Sequence, residues 1–292
     1  MIRTGKKFSK PEMSRVINGD IVLDSGPEKP EKKRLDLILV GIYKSYNRST
    51  LQKFIENGFV KVDGVLATKP NQKFEDGVKI ELNVPEEQKN ADLKPEVIYE
   101  DDNVLVLNKP AGLLSMAKGE YCPEKTLEDY GLLVHRLDRD TSGVVIMAKN
   151  EDTQTMLRRQ FQDRKAHKTY YAVVTGRPKM DEARIYLPIA RDKKRPTTFR
   201  VDANGKESET FYKVVKADDK HSLIELRPTT GRTHQLRVHL NYLGHPIMGD
   251  AVYGGEKADR LYLHAKSLEI TLPGGERRTF EAPLPESFNN VF

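Results

Sequence analysis

The sequence of 292 residues contains one cysteine, Cys122, and no tryptophan. A single cysteine excludes an internal disulfide framework and a cluster of metal-binding thiolates, and it favours a reducing compartment. Apolar runs are also short: those at residues 104–107 and 144–148 fall far short of the roughly 20 residues that a membrane-spanning helix needs. Residues 1–20 lack the apolar central segment of a secretory signal. We therefore expect a cytoplasmic protein that does not enter a membrane.

Charge, by contrast, is abundant and unevenly distributed. Charged residues make up 32% of the chain and the formal net charge is +6. Residues 1–33 carry +3 and residues 34–84 carry +2, whereas the remaining 208 residues carry +1. A basic excess on a short segment favours a polyanion partner, because each Lys or Arg that contacts a phosphate releases counterions. A role in solubility alone fits the same net charge.

The length is sufficient for two domains, and the composition divides the chain accordingly. Residues 1–33 show little periodicity and several Lys, Gly and Pro residues, which predicts a basic arm with one strand at residues 20–23. Residues 34–84 have the pattern of a small compact unit, and the polar residues 85–94 are the predicted linker to a second domain over residues 95–292.

The pattern of residues 34–84 is helix, helix, hairpin. Apolar spacing predicts a helix at residues 34–40, and Ser49 is the predicted N-cap of a second helix that ends at Gly58. The pair Asp63-Gly64 predicts a hairpin turn. The unit resembles an S4 RNA-binding domain in the segments Arg34-Leu35-Asp36, Asn47-Arg48-Ser49, Ile55-Glu56-Asn57-Gly58 and Val60-Lys61-Val62-Asp63-Gly64.

Basic side chains of this unit are candidates for a face that grips RNA phosphates without reading bases. We assign the RNA-binding role to Arg48, Lys53 and Lys61, with Lys69 and Lys73 on the same predicted face. A solvated helix surface with no partner is the alternative interpretation.

Strands dominate from residue 95 onward, and two helices are predicted at residues 150–164 and 233–243. Alternating or continuous apolar patterns predict strands at residues 97–109, 143–148, 170–175, 184–189, 209–215, 223–227 and 262–272, the first of these ranges being a hairpin. The predicted fold class is therefore α+β, with a mixed, largely antiparallel sheet.

Two polar stretches stand out within this second domain. Asp138 lies in a polar turn that leads directly into the apolar strand predicted at residues 143–148, and such a position suits a catalytic acid. An aspartate that only bonds nearby backbone N–H groups of the turn fits the same local sequence. Residues 230–239 place a Gly-Arg turn at the start of a helix, and helix capping beside a basic surface explains that pattern equally well.

Taken together, these segments are similar to the RluA-type pseudouridine synthases over about residues 95–292. The matching motifs follow in the family's order: Asn108-Lys109-Pro110-Ala111-Gly112, residues 135–143, Lys168-Thr169-Tyr170-Tyr171-Ala172, residues 231–239, residues 243–250 and Leu263-His264-Ala265. Between Gly112 and Gly131 the chain is shorter than is usual in the family, which affects substrate contacts from that region but not the catalytic residues.

The resemblance implies an enzyme that isomerises specific uridines of structured RNA, ribosomal RNA above all, without a cofactor. Asp138 resembles the catalytic carboxylate, whose attack on the uridine is placed either at the ribose anomeric carbon or at the uracil ring. Arg232 resembles its basic partner and Arg237 is the second candidate, since an adjacent positive charge keeps a carboxylate ionised.

Three more residues receive roles from the resemblance. Tyr170 resembles the ring that lies against the base, with a possible part in proton transfer at C5, and Leu263 resembles the apolar wall of the pocket. Arg136 resembles the residue that enters the RNA helix when the uridine is extruded, because an enzyme that works at a glycosidic bond must take its nucleotide out of the stack.

Other interpretations stay open at this point. An RNA-binding factor without activity is one, although Asp138, Tyr170 and Arg232 are all present. A hydrolase that pairs Asp138 with a second acid is another, but Asp140 makes no clear partner. His234 and His239 are five residues apart, so a helix does not place them on one face, and we expect no metal site. We expect a monomer, and the sequence does not identify the uridine that is modified.

Overall fold

The computed structural model describes residues 14–17, 20–23, 31–84, 92–117 and 124–292. Most of the predicted basic arm, most of the predicted linker and Cys122 lie outside these residues. The contacts within the chain divide it into two compact units, Met1–Pro85 and Glu86–Phe292.

The described part of the first unit consists of short strands and two helices. In chain order these are β1 (Ser14–Ile17), β2 (Asp20–Leu23), β3 (Lys33–Arg34), α1 (Leu35–Ile42), α2 (Arg48–Glu56), β4 (Val60–Val62), β5 (Val65–Leu66), β6 (Lys73–Phe74) and β7 (Ile80–Leu82). Strand β2 matches the strand predicted in the arm, and β1 is its antiparallel partner. Strand β4 pairs with both β5 and β7, while β3 pairs with β6.

The two helices pack through apolar residues at helical spacing. Leu35 and Leu39 of α1 and Leu51, Phe54 and Ile55 of α2 have no exposed surface. Burying a side chain of this size contributes about 1.5 to 3 kcal/mol relative to exposure, so these residues supply most of the core of this small unit.

The helix whose predicted N-cap is Ser49 begins two residues earlier than expected, at Arg48, and its N-cap is Asn47. The Asn47 side-chain oxygen accepts the Thr50 N–H at 3.0 Å, and the Ser49 hydroxyl donates to that same oxygen at 2.7 Å. An asparagine N-cap satisfies one of the free N–H groups of the first turn, so Ser49 is not needed for this role. The prediction that Ser49 caps the helix is therefore wrong.

The second unit is built mainly of strands. Its elements in chain order are β8 (Glu96–Glu100), β9 (Val104–Lys109), β10 (Leu132–Leu133), β11 (Ser142–Ala148), α3 (Glu151–Gln162), β12 (His167–Thr175), β13 (Glu182–Tyr186), β14 (Ile189–Arg191), β15 (Phe199–Val201), β16 (Glu209–Ala217), β17 (His221–Pro228), α4 (Gln235–Tyr242), β18 (Leu263–Thr271), β19 (Arg277–Glu281) and α5 (Glu286–Asn289). None of the helices in the described part of the chain has the length and apolar character needed to cross a bilayer.

Ten strands of this unit form one sheet in the order β13-β16-β17-β12-β18-β11-β9-β8, with β10 added beside β11 and β19 beside β18. The pair β11–β18 is parallel, and the other pairs of this sheet are antiparallel. The prediction of an α+β fold with a mixed, largely antiparallel sheet is confirmed.

Several elements differ from the sequence-based expectation. The single strand predicted at residues 184–189 is divided, because β13 ends before Pro188, which has no N–H to offer a sheet ladder. The helix predicted from residue 233 begins at Gln235. Strand β19 was not predicted, because its sequence has no distinctive apolar pattern. It pairs with β18 through backbone hydrogen bonds.

Strand β11 lies at the centre of the second unit, and the loop that contains Asp138 leads directly into it. All seven of its residues are buried. Gly143 has a φ of +113° and approaches β18 so closely that a Cβ atom there would overlap the backbone of Ala265. Glycine is required at this position on both counts. The close approach brings the loop at residues 134–141 beside the start of β18, where Leu263 lies.

Candidate active site

A cavity of about 460 Å³ lies beside the loop between β10 and β11. All six residues to which catalytic or substrate-binding roles were assigned line it: Arg136, Asp138, Tyr170, Arg232, Arg237 and Leu263. They come from the loop, from β12, from β18 and from α4 with its preceding turn. The structure therefore brings the two polar stretches of the sequence to one place.

Buried polar side chains hold the loop that carries Asp138. The Lys109 ammonium has no exposed surface and donates to the carbonyl oxygens of Leu113 at 2.7 Å and Arg139 at 2.8 Å. Burial lowers the pKa of Lys109 to about 7, although the negative charges of Asp140 and Asp138 act to raise it.

On the other side of Asp138, the Ser115 hydroxyl donates to the Leu137 carbonyl at 2.8 Å and accepts the Leu137 N–H at 3.1 Å. Loop residues on both sides of Asp138 are thus fixed by hydrogen bonds, so the position of its backbone is set before any substrate binds.

The carboxylate of Asp138 is partly exposed, with 26% of its side chain accessible, and Arg237 is its charged neighbour. Arg237 Nη1 lies 3.4 Å from Asp138 Oδ2. The same guanidinium donates to both carboxylate oxygens of Asp250, at 2.7 and 2.8 Å. Arg237 and Asp250 are almost fully buried, with 7% and 1% of their side chains exposed. Arg237 is therefore held in place by Asp250 while it faces Asp138.

The carboxylates of Asp138 and Asp250 keep Arg237 positively charged. Burial lowers the pKa of Arg237, but hydrogen bonds to Asp250 and the charges of Asp250 and Asp138 outweigh it, and the net direction is upward. A permanent positive charge within 4 Å of a carboxylate favours its ionised form.

The expected pairing of Arg232 with Asp138 is corrected by this geometry. Arg232 Nε donates to the Glu207 carbonyl at 3.0 Å, and the Arg232 N–H donates to the Gln235 side chain at 3.0 Å. These contacts hold Arg232 in the turn before α4. The cation that pairs with Asp138 is Arg237, the second candidate, which lies on α4 itself.

Tyr170 and Leu263 form adjacent apolar surfaces of the cavity. Both lie on neighbouring antiparallel strands, and Leu263 is 3% exposed. Burial, reinforced by the charge of Asp138, raises the pKa of Tyr170 well above its usual value. The phenol therefore keeps its proton at neutral pH. Lys168 lies two residues before Tyr170 on β12 and also lines the cavity. Burial lowers the pKa of Lys168 to about 8.

His135 and His264 contact different kinds of group near the site. His135 Nε2 accepts the Ile146 N–H at 3.1 Å, and its ring stacks on Phe161 with a centroid distance of 4.5 Å. Burial lowers the pKa of His135 to about 3, so the ring stays neutral and can accept. His264 Nδ1 instead pairs with the Ser142 hydroxyl at 2.8 Å, a side chain rather than a backbone group.

Arg136 is exposed at the edge of the cavity, two residues before Asp138. Its Nη2 donates to the Thr233 hydroxyl at 2.9 Å, which links the loop to the turn before α4. A second contact joins its Nη1 to the Met116 sulfur at 4.0 Å. Because both partners are uncharged, the guanidinium can exchange them at low cost.

In the first unit, the three predicted RNA-binding residues differ in their surroundings. Lys53 and Lys61 are exposed. Arg48 instead donates to the fully buried carboxylate of Asp36, at 3.1 and 2.9 Å. Burial opposes ionisation of Asp36, but hydrogen bonds from Arg34, Gln52 and Arg48 hold its pKa well below its usual range. Arg48 therefore has a structural role in the unit that the sequence did not indicate.

Sequence reasoning assigned no role in the site to three of its polar residues, although it quoted the motifs that contain them. Lys109 fixes the loop, Asp250 holds Arg237, and His234 lies between Asp138 and Tyr253. The signal available was a charged residue inside an apolar segment, as for Lys109 at the end of β9. Among the described residues, no three His, Cys, Asp or Glu side chains are arranged to hold a metal ion.

Comparisons with known proteins agree on the class. The family model for RNA pseudouridylate synthase matches residues 103–242, and the S4 domain model matches residues 33–80. An uncharacterized RNA pseudouridine synthase of Aquifex aeolicus is 36% identical over 90% of this chain and 93% of its own length. A ribosomal large subunit pseudouridine synthase D of Vibrio vulnificus is 34% identical over 87% of this chain and 88% of its own.

Among solved structures, human RNA pseudouridylate synthase domain containing 1 is similar with a TM-score of 0.58 and 29% identity, over 67% of this chain and 86% of that one. The chain belongs to the RNA pseudouridine synthase family, with an S4 domain before the catalytic domain. It is an RNA-binding enzyme, and the hydrolase interpretation is wrong.

Proposed function

We propose that this enzyme converts uridines of ribosomal RNA to pseudouridine, with Asp138 as the nucleophile on a uridine extruded into the cavity. The observation that supports this most strongly is the pairing of Asp138 with a buried, permanently charged Arg237 at the cavity wall. The ribosomal large subunit synthases among the relatives support ribosomal RNA as the substrate. We also propose that the enzyme acts as a monomer.

The chemistry follows from the positions of these groups. Asp138 attacks the uridine as a carboxylate and forms a covalent bond to it, the glycosidic bond breaks, and the uracil turns. A carbon–carbon bond then forms to the ribose, and the bond to Asp138 breaks, which returns the free carboxylate. Carbon 5 loses its proton and N1 gains one, so atoms balance without an external reactant. Tyr170 packs against the base and, because it keeps its own proton, serves as a surface and a donor rather than as a base. Leu263 adds an apolar wall next to Tyr170.

A direct test uses the purified protein with ribosomal RNA fragments that lack modification. Pseudouridine should appear at a small number of positions. If the protein bound these fragments but formed none, the enzyme would be an RNA-binding factor without activity on this substrate, and the proposal would fail.

Arg136 is proposed to occupy the space that the departing base leaves, because it is exposed at the cavity edge and is held only by uncharged partners, the Thr233 hydroxyl and the Met116 sulfur. Extruding a paired uridine costs a few kcal/mol, and the cost falls when the base is unpaired. We expect Arg136→Ala to slow single turnover about tenfold more on a uridine in a stem than on the same uridine in an open loop, a difference of about 1.4 kcal/mol.

The control for Arg136 is Arg139→Ala, which removes the same charge from the same loop. Arg139 pairs with Glu124 at 2.7 Å, so its guanidinium already has a charged partner. Its effect should be the same on both substrates. Equal losses on stem and loop for Arg136→Ala would contradict the flipping role and assign Arg136 to general phosphate binding.

The exposed Lys53 and Lys61 are proposed to grip RNA phosphates. We expect Lys53→Gln with Lys61→Gln to reduce the salt dependence of RNA affinity, with the slope of log K against log salt falling by about two. Measuring affinity at several salt concentrations tests this. Lys32→Gln with Lys33→Gln is the matched control, because it removes the same charge from lysines already paired with Glu75 and Asp76. Equal effects of the two pairs would mean that only net charge matters.

A further inference from the structure

His234 has a backbone conformation that only glycine adopts freely. It directly precedes α4 with a φ of +56°, in the left-handed region. For other residues this conformation costs about 1 to 2 kcal/mol, and it persists where the surroundings fix it, often at functional sites. His234 lines the cavity, yet the mechanism described above gives it no part.

The contacts of Tyr253 determine which ring nitrogen of His234 carries the proton. The Tyr253 oxygen accepts the Phe199 N–H at 3.0 Å and lies 2.8 Å from His234 Nδ1. Tyr253 is 7% exposed, and its own hydrogen needs an acceptor. Nδ1 is the acceptor within reach. With Nδ1 accepting, the proton of a neutral imidazole is on Nε2.

Nε2 of His234 faces the nucleophile. It lies 3.9 Å from Asp138 Oδ2, the same oxygen that Arg237 approaches at 3.4 Å. Both distances exceed those of strong hydrogen bonds, as is common in active sites before substrate binds. Two donors on one carboxylate oxygen leave the other oxygen, Oδ1, as the one free to attack.

We infer that His234 is a positioning residue: its Nε2–H, fixed by the Tyr253 hydroxyl, joins Arg237 in holding Asp138 Oδ2, so that Oδ1 is the attacking oxygen. This inference rests on the proposed nucleophilic role of Asp138. The hydrogen bond closes fully when a nucleotide fills the cavity and excludes water. Tyr253 acts through His234 and does not touch the reacting atoms.

The charges around His234 are consistent with a neutral donor. Asp138 and Asp250 favour protonation, whereas Arg237 and Arg136 oppose it. Burial is the largest effect and lowers the pKa of His234 below its usual value. A second proton would also have to go on Nδ1, and the Tyr253 hydrogen would then lose its acceptor.

The first test compares two variants and their combination in steady-state kinetics. His234→Asn removes the group at Nε2 but keeps a residue that tolerates the left-handed conformation. We expect it to lower kcat about tenfold or more, the effect of losing a hydrogen bond to a charged group, while KM changes little. Tyr253→Phe should lower kcat in the same direction. The double variant should be no slower than His234→Asn alone, because Tyr253 acts through His234.

Two further readouts separate positioning from general structural support. In Tyr253→Phe the hydroxyl that fixes the tautomer is gone, so nitrogen NMR of this variant should show the proton of the neutral imidazole divided between Nδ1 and Nε2. Nitrogen NMR of the labelled wild-type protein should show the proton of His234 on Nε2, a measurement that does not depend on activity.

A proton on Nδ1 in the wild-type protein would overturn the inference. So would an unchanged kcat in His234→Asn, or additive losses in the double variant. If His234→Asn did not fold, the kcat of Tyr253→Phe and the nitrogen NMR spectra of the wild type and of Tyr253→Phe would still decide the matter. Failure of the nucleophile assignment is recognised separately, by an active Asp138→Asn enzyme.

Discussion

Asp138→Asn is expected to abolish pseudouridine formation while RNA affinity is retained. Asparagine keeps the shape of the side chain but removes the anionic nucleophile, and the loss of several kcal/mol of barrier lowering corresponds to a rate decrease of about a thousandfold or more. Single-turnover conversion and equilibrium RNA binding, measured on the same substrate, check the two parts of the prediction.

Asp140→Asn is the matched control, because it removes the same charge from an exposed residue of the same loop. It should retain most of the activity. Turnover of Asp138→Asn within about tenfold of wild type would contradict the catalytic assignment, since a nucleophile cannot be lost at so small a cost.

Arg237→Met is expected to have the second largest effect, on both stability and activity. Removing the cation leaves the carboxylate of Asp250, which is 1% exposed, without its charged partner. Breaking a buried pair in this way costs about 3 to 5 kcal/mol of unfolding free energy. Activity should fall as well, because Asp138 loses the donor at its Oδ2. Denaturant unfolding and single-turnover kinetics measure the two effects.

A second substitution separates these effects. In Arg237→Met with Asp250→Asn, the buried charge is gone, and the asparagine oxygen can still accept the Val252 and Tyr253 N–H groups that bond Asp250 Oδ1. Stability should recover by more than half of the loss, while activity stays low. Recovery of activity together with stability would mean that Arg237 serves the fold alone.

The sequence predicted which residues form the site better than it predicted the contacts among them. Asp138, Tyr170 and Leu263 lie in separate motifs, and the structure gathers all three at one cavity. The sequence favoured Arg232 over Arg237 as the partner of Asp138. That choice depends on where α4 begins: the left-handed His234 and the Gln235 side chain hold the preceding turn, so Arg232 bonds Glu207 and the first helical turn presents Arg237.

In the fold, likewise, some features could be predicted from the sequence and others could not. Long strands with clear apolar patterns, such as β11 and β18, were predictable because burial on both faces leaves a continuous apolar run and burial on one face leaves an alternating pattern. The short pair β14 and β15 was not, since strands of three residues carry too little pattern to separate from a loop. Contacts of buried polar groups, such as Lys109 with three carbonyls, depend on tertiary geometry that local sequence does not contain.

The central claim, that this enzyme forms pseudouridine in ribosomal RNA through Asp138, is tested most directly by mapping pseudouridines in the cells that produce it. Ribosomal RNA would be compared from cells with the wild-type protein, without it, and with Asp138→Asn at equal abundance. We predict that a defined set of pseudouridines is present only with the wild-type protein. Identical ribosomal RNA maps in all three would contradict the account.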